Sequence, residues 1–234
     1  MEIKPIEIAS IGQKTAQATL FRNVYSWMTL AMIVTGLTAF IVAGSESLLY
    51  SILGNKLLFY GLLFGELGLV WYLSSRINTL TLNNATLLFI IYSILNGVTL
   101  AFIFAVYTSS SIASTFFVTA GTFASMALVG TFTKRDLSSM GNILLMALIG
   151  IIIASVVNLF LKNEMMYWII TYIGVLVFVA LTAYDAQKIK RLIQEHGHEV
   201  NESTQKIALI GALSLYLDFI NLFLFLLRIL GGRK

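Results

Sequence analysis

Residues 206–228 read KIALIGALSLYLDFINLFLFLLR. The run is long enough to cross a bilayer, which takes about 20 predominantly apolar residues, and it carries Asp218 near its middle. A carboxylate at membrane depth costs on the order of 2.5–3.5 kcal/mol on insertion scales, which makes it a functional candidate by default. Helical spacing gives it neighbours. Gly211, Ser214, Asp218 and Asn221 fall at i−7, i−4, i and i+3, so they share one face. The rest of the surface is Leu, Ile, Phe and Tyr. Such a helix turns a narrow polar stripe inward, and other parts of the chain must supply what the stripe faces.

The composition fixes the class. Of 234 residues, 58% are hydrophobic and 11% charged, where an ordinary soluble domain carries about 25% charged residues. A soluble fold of this size cannot hide so much apolar surface, so the chain reads as an all-α polytopic membrane protein. Its single proline, Pro5, lies ahead of every span, so no span is kinked by proline. The absence of cysteine excludes disulfides, thiolate metal sites and cysteine nucleophiles. The net charge of +4 is a topology signal and not a nucleic-acid footprint. The first apolar run is too long for a signal-peptide core, and no lipidation motif is present.

Seven segments reach spanning length, near 24–43, 56–74, 86–107, 112–131, 141–161, 166–185 and 207–230. They form a single domain over 1–234, with 1–22 as an N-terminal tail. The connections are short except the polar stretch 186–206. No internal repeat is evident. Lys4, Lys14 and Arg22 in the tail lie on one side with Arg76, Lys134, Arg135, Lys188, Lys190, Arg191 and Lys206; the opposite loops carry Lys56 and Lys162. This bias predicts a cytoplasmic N-terminus. Seven full spans then put the C-terminus outside, whereas a re-entrant last segment would return its basic tail, Arg228, Arg233 and Lys234, to the inside.

Few ionisable residues fall within the apolar runs. Glu66 lies mid-way along the second, between Gly61, Gly65 and Gly68, so its face can approach another helix; it reads equally as a structural hydrogen-bonder or as part of an ion path. Arg76 closes the second span. Arg228 closes the seventh and reads as a snorkelling anchor. Small residues on the fourth span (Ala120, Gly121, Ala124, Ser125, Ala127) read as packing, and Trp27, Trp71 and Trp168 as interfacial anchors. His196 and His198 are too few for a metal site and read as loop residues. Asp185, at the inner end of the sixth span, alone reads as an interfacial partner of Lys188 at i+3. Beside Asp218 it reads differently. The sixth and seventh spans are consecutive and antiparallel, and two neighbouring carboxylates titrate as a unit. A shared proton would hold the helices together and its loss would drive them apart. Depth speaks against the pairing: Asp218 is eleven residues, about 16 Å, into its segment, whereas Asp185 is at the edge of its own. The pair meets only if the last helix starts outside the bilayer or water enters from inside.

The segment Ala212–Leu213–Ser214–Leu215–Tyr216–Leu217–Asp218–Phe219–Ile220–Asn221–Leu222–Phe223, with Leu226–Leu227–Arg228, resembles the C-terminal signature of the Bax inhibitor 1 family, the transmembrane Bax-inhibitor-motif proteins. Tyr184–Asp185 with Gln187–Lys188–Ile189–Lys190 resembles the family's sixth-helix motif, and Gly130–Thr131–Phe132–Thr133–Lys134–Arg135–Asp136–Leu137 the segment after its fourth helix. The likeness runs from about residue 20 onward. It implies six helices wrapped around a central C-terminal helix and a pH-sensitive calcium leak. It implies a bacterial inner-membrane protein whose Asp185 and Asp218 form the proton sensor, with Arg76 as a latch on Asp185 and Glu66 matching a second-helix glutamate. Ser214 and Asn221 join Glu66 as ion-path candidates. No cofactor is expected; calcium and protons are the expected cargo and signal, the bilayer is the surroundings, membrane proteins are possible partners, and nucleic acid is not one.

Two other classes compete. A membrane-embedded regulator of stress responses or of a protease would act through the basic loops without ion flux. An intramembrane aspartyl protease would pair Tyr184–Asp185 with a second aspartate in a Gly-x-Gly-Asp context. Leu217 precedes Asp218 here, with no adjacent glycine, so the reading is of a protein that is not an enzyme.

Overall fold

The computed structural model describes residues 5–234; Lys4, assigned to the basic tail, lies outside them. The described residues are almost all helical, up to Leu230. The helices are α1 (Pro5–Ala43), α2 (Glu46–Gly54), α3 (Lys56–Arg76), α4 (Leu82–Leu100), α5 (Ile103–Val106), α6 (Ser109–Phe132), α7 (Ser138–Leu161), α8 (Glu164–His196) and α9 (Glu202–Leu230). Seven segments are long and apolar enough to cross a membrane: most of α1, then α3, α4 with α5, α6, α7, α8 and α9. The chain is an all-α polytopic membrane protein.

Short polar connections end one helix and cap the next. The side chains of Asn55, Thr81, Thr108, Asn163 and Asn201 accept from the backbone N–H three residues on, at 2.9–3.3 Å. Each satisfies a donor that the first helical turn leaves open. This is why connections of a few residues suffice and why the seven spans are legible in the hydropathy pattern.

Three features depart from the sequence reading. Residues 5–22, expected as a tail, are already helical. From residue 16 onward α1 keeps one buried face through Ala16, Leu20, Val24, Met28, Ala31, Thr35, Ala39 and Val42, at the three- and four-residue spacing of a helix stripe. Packing therefore extends it beyond the apolar run. The short α2 follows α1, before the second span. The 186–206 connection is mostly helix: α8 continues to His196 and α9 starts at Glu202, leaving 197–201 as the turn. Nothing between 186 and 196 breaks a helix, and Ile189 and Ile193, four apart, are both buried. The charges there mark an outer helix face and not a loop.

The chain divides into two compact units. The first holds residues 1–106 and 189–216. Within it α1 packs chiefly on α4, and α4 on α3. Gly97 permits the first approach: a Cβ there would lie 2.6 Å from the carbonyl oxygen of Thr35 and 2.7 Å from Cβ of Thr38. Glu202, the first residue of α9, accepts from the N–H of Leu82 at 3.0 Å and pairs with Lys206 at 3.0 Å, docking the start of α9 onto the start of α4.

The second unit holds residues 107–188 and 217–234. Phe219 of α9 meets Phe123 and Phe116 of α6 edge-on, with ring centroids 5.5 and 5.4 Å apart. Further along, the N–H of Gly232 donates to Oγ of Ser111 at 2.9 Å and the N–H of Thr108 to the carbonyl of Gly232 at 3.1 Å. From Phe219 to Gly232, α9 therefore runs antiparallel to α6 down to the start of α6. It does not turn back, which disposes of the re-entrant alternative.

Of the spans, α9 is the most enclosed, with 67% of its apolar window buried inside the protein, against 50% or less for the others. Its apolar surface is covered largely by protein and not by lipid.

Candidate functional site

Two polar constellations lie within the spans, one in each unit. The first is built on Glu66 of α3, which is 7% exposed. Thr99 of α4 donates to its Oε1 at 2.8 Å and the Asn96 amide to its Oε2 at 3.3 Å. Tyr216 of α9 donates to Oδ1 of Asn96 at 3.1 Å, and its hydroxyl lies 2.7 Å from Oγ1 of Thr35 on α1. A hydroxyl has one proton to give. Oγ1 of Thr35 also donates to the carbonyl of Ser93 at 2.8 Å, so the two hydroxyl protons of Thr35 and Tyr216 serve three short contacts: to Ser93, to Asn96 and between the two hydroxyls. The network links Thr35, Tyr216, Asn96 and Glu66 without a single direction of donation, and hydrogen bonds of such a network are electrostatically stronger in a low-dielectric interior than in water. The rings of Phe89 and Tyr92 close around Tyr216 at 6.1 and 5.8 Å between centroids.

Sequence reasoning singled out Glu66 and missed its partners. Thr35, Asn96, Thr99 and Tyr216 are ordinary polar residues in apolar runs. Their usable signal is helical spacing: Asn96 and Thr99 lie three apart on one face of α4, as two donors to one carboxylate must.

The second constellation lies on α8 and α9. Asp218 is 5% exposed, and its Oδ2 has no hydrogen-bond partner. Asp185 on α8 is half-buried, and its charge acts on Asp218. Helix register brings the two positions to corresponding turns of α8 and α9. Phe178 on α8 and Phe225 on α9 pack with centroids 5.8 Å apart. Asp185 lies seven residues after Phe178, and Asp218 seven before Phe225. Seven residues are close to two helical turns, so in an antiparallel pair the aspartates repeat the phenylalanine contact two turns along. The extension of α8 changes the depth comparison. Asp185 is eleven residues, about 16 Å, from the end of α8 at His196, and Asp218 sixteen residues, about 24 Å, from the start of α9 at Glu202. Neither is at a helix end. The apolar stretch before Asp218 that made it look too deep is packed in protein: Ala208, Leu209, Ala212, Leu213, Leu215 and Tyr216 are buried.

The stripe on α9 is thus directed at α8. At its start, a Cβ on Gly211 would come within 3.1 Å of the Ile189 side chain. Ser214 is half-buried. Asn221 spends its amide on the carbonyl of Leu217, 2.8 Å away in its own helix. Arg76 closes α3 with its side chain exposed, and its carbonyl accepts from Thr79 and Leu80. Arg76 belongs to the first unit, the two aspartates to the second. His196 ends α8 with its ring 3.2 Å from the carbonyl of Leu192, and His198 sits in the turn. Among the described residues no cluster of three His, Cys, Asp or Glu could hold a metal ion.

Gln187 entered the sequence reading only as part of the sixth-helix motif, with no role of its own. Buried two residues beyond Asp185, it accepts from the N–H of Leu137 at 2.8 Å and donates to the carbonyl of Arg135 at 2.9 Å. It pins the α6–α7 connector to α8. Two of the three segments that carried the family resemblance, 130–137 and 184–190, are therefore in contact.

Comparisons with known proteins agree in direction. A family model described as inhibitor of apoptosis-promoting Bax1 matches residues 17–234. The chain is 50% identical over 234 residues to inner membrane protein YbhL of Escherichia coli strain K12, with all of both chains covered. It is 41% identical over 212 residues to an uncharacterized protein of Rickettsia prowazekii, covering 91% of this chain and 89% of the relative. An uncharacterized protein of Borreliella burgdorferi is 40% identical over 212 residues, 91% of each chain.

Proposed function

The chain belongs to the Bax inhibitor 1 family, and from that premise we propose that it is a pH-sensitive calcium leak of the inner membrane, gated by Asp185 and Asp218. One observation carries the reading. Asp218 is buried with an unpartnered carboxylate oxygen, and the Phe178–Phe225 contact sets a helix register that supports Asp185 as its neighbour on α8. A buried ionised carboxylate without a hydrogen bond is costly, and two facing carboxylates hold one proton between them far more readily than two negative charges. The shared proton ties α8 to α9. When it leaves, two like charges repel across the helix pair, and a bistable helix contact opens.

Calcium takes hard oxygen ligands; Asp185 and Asp218 offer carboxylates in the second unit and Glu66 a separate one in the first, and Ser214 and Asn221 complete the set of ion-path candidates. Arg76 serves as the latch on Asp185 by family resemblance. The basic bias of the loops orients the N-terminus to the cytoplasm.

The experiment is calcium entry into liposomes holding the purified protein, followed in acidic and in alkaline buffer. Flux is expected to rise with pH in the wild type, to lose its pH dependence in Asp185→Asn and Asp218→Asn, and to rise in acid in Arg76→Ala. Equal flux from wild type and both aspartate variants at every pH would rule the mechanism out.

A further inference from the structure

At one end of the second unit, where α7 stops, α8 starts and α9 stops, a cleft of about 760 Å³ opens. Its volume is that of a small-molecule site, roughly 300–1,000 Å³. The lining carries three cations, Lys162, Arg228 and Arg233, against one anion, Glu164. None of the four makes an ion pair among the described residues. Tyr167 and Trp168 form the aromatic wall.

The turn beneath the cleft is held in place by its own side chains. Oδ1 of Asn158 accepts from the N–H of Asn163 at 3.0 Å, and Oδ1 of Asn163 accepts from the N–H of Met166 at 2.9 Å. Between them Lys162 adopts the left-handed conformation, φ 50° and ψ 36°, the one non-glycine residue with positive φ among those described. Such a conformation costs an L-residue on the order of 1–2 kcal/mol and is kept where surrounding structure imposes it. Arg228 is fixed too. Its guanidinium lies over the rings of Tyr167 and Phe225, 5.5 and 5.1 Å from their centroids. A rigid guanidinium and an unpaired ammonium, at a helix end flanked by Trp and Tyr, are the groups that recognise a phosphate at a membrane interface.

We propose that this cleft binds a phosphate-bearing anion, its placement at the span ends matching the headgroup of an anionic phospholipid. With three cations against one anion, the site favours a net-negative phosphodiester over a zwitterionic one. The inference does not rest on calcium conduction: it concerns a different cluster of side chains and is read by binding alone.

The full chain is purified in detergent and mixed with phosphatidylglycerol, phosphatidylcholine or inorganic phosphate, and retained molecules are counted by native mass spectrometry. Phosphatidylglycerol is expected to be retained about tenfold more than phosphatidylcholine, a difference of ~1.4 kcal/mol. Lys162→Gly and Arg233→Gln should each erode that preference severalfold. Lys162→Gly guards against misfolding, because glycine adopts the left-handed turn without strain while removing the charge. Retention of inorganic phosphate with no preference between the lipids, lost in the same variants, would assign the site to a soluble phosphate. Equal retention of both lipids with no bound phosphate, unchanged in both variants, would overturn the proposal.

Discussion

The hydroxyl of Tyr216 lies 2.7 Å from Oγ1 of Thr35, joining α9 to α1, while the rings of Phe89 and Tyr92 pack edge-on against the tyrosine ring. It also donates to Asn96, whose amide reaches Glu66. Four helices, α1, α3, α4 and α9, therefore meet at one hydrogen-bonded chain. Removing the hydroxyl leaves Oδ1 of Asn96 and Oγ1 of Thr35 without it. A buried polar group stripped of its partner costs about 1–3 kcal/mol. Tyr216→Phe is expected to lower the thermal midpoint in detergent by roughly 2–4 °C per kcal/mol lost. A midpoint equal to that of the wild type would show the chain to be energetically idle.

Glu66 separates a structural from a conducting role by two substitutions. Glu66→Leu leaves the donors on Asn96 and Thr99 unmet, at a cost of about 1–3 kcal/mol. Glu66→Gln keeps the shape and a carbonyl acceptor but removes the charge. If calcium passes this carboxylate, flux in Glu66→Gln falls about tenfold, the equivalent of ~1.4 kcal/mol of lost cation stabilisation, while the fold persists. A destabilised Glu66→Leu beside a Glu66→Gln of normal flux would assign Glu66 to structure alone.

Much of this was open to reading in the sequence, for definite reasons. The spans were legible because lipid demands long apolar runs, and the polar stripe of α9 because helical period is fixed. Asp185 and Asp218 were singled out because carboxylates stand out against apolar neighbours. What was hidden depended on packing. The continuation of α8 to His196 was masked by Lys188, Lys190 and Arg191, since charge density looks alike on a loop and on an exposed helix face. The burial of Leu209 and Leu213 in protein was indistinguishable from exposure to lipid, since both favour leucine. That ambiguity produced the depth objection to the aspartate pair. Thr35 and Tyr216 are 181 positions apart, and no local pattern links them.

If Asp185 and Asp218 share a proton as proposed, stability depends on pH with a definite sign. On the shared-proton reading, the folded protein holds a proton that the unfolded chain would release, so stability is fullest in acid and falls as pH rises. Asp218→Asn cannot develop the second charge. Its thermal midpoint should match that of the wild type in acid and exceed it in alkaline buffer, where the wild-type pair repels. Parallel pH curves for the two proteins would remove the shared proton from the mechanism.

Two glycines on α6 test how tightly the aspartate helix is held. A Cβ on Gly130 would collide with the backbone of Ala183, lying 2.8 Å from its Cα, whereas one on Gly121 meets nothing within 4 Å. Ala183 is two residues from Asp185, and Gln187, four residues on along the same face of α8, ties this stretch to Arg135 and Leu137. In a helix interior alanine is favoured over glycine by about 1 kcal/mol, so Gly121→Ala should be neutral or slightly stabilising. Gly130→Ala carries the same propensity gain but must push two backbones apart, and overpacking of this kind costs typically 1–3 kcal/mol. It should lower the thermal midpoint, and by shifting α8 at Ala183 it should also blunt the pH response of calcium flux. If Gly130→Ala behaves like Gly121→Ala in both measurements, the α6–α8 approach does not position Asp185.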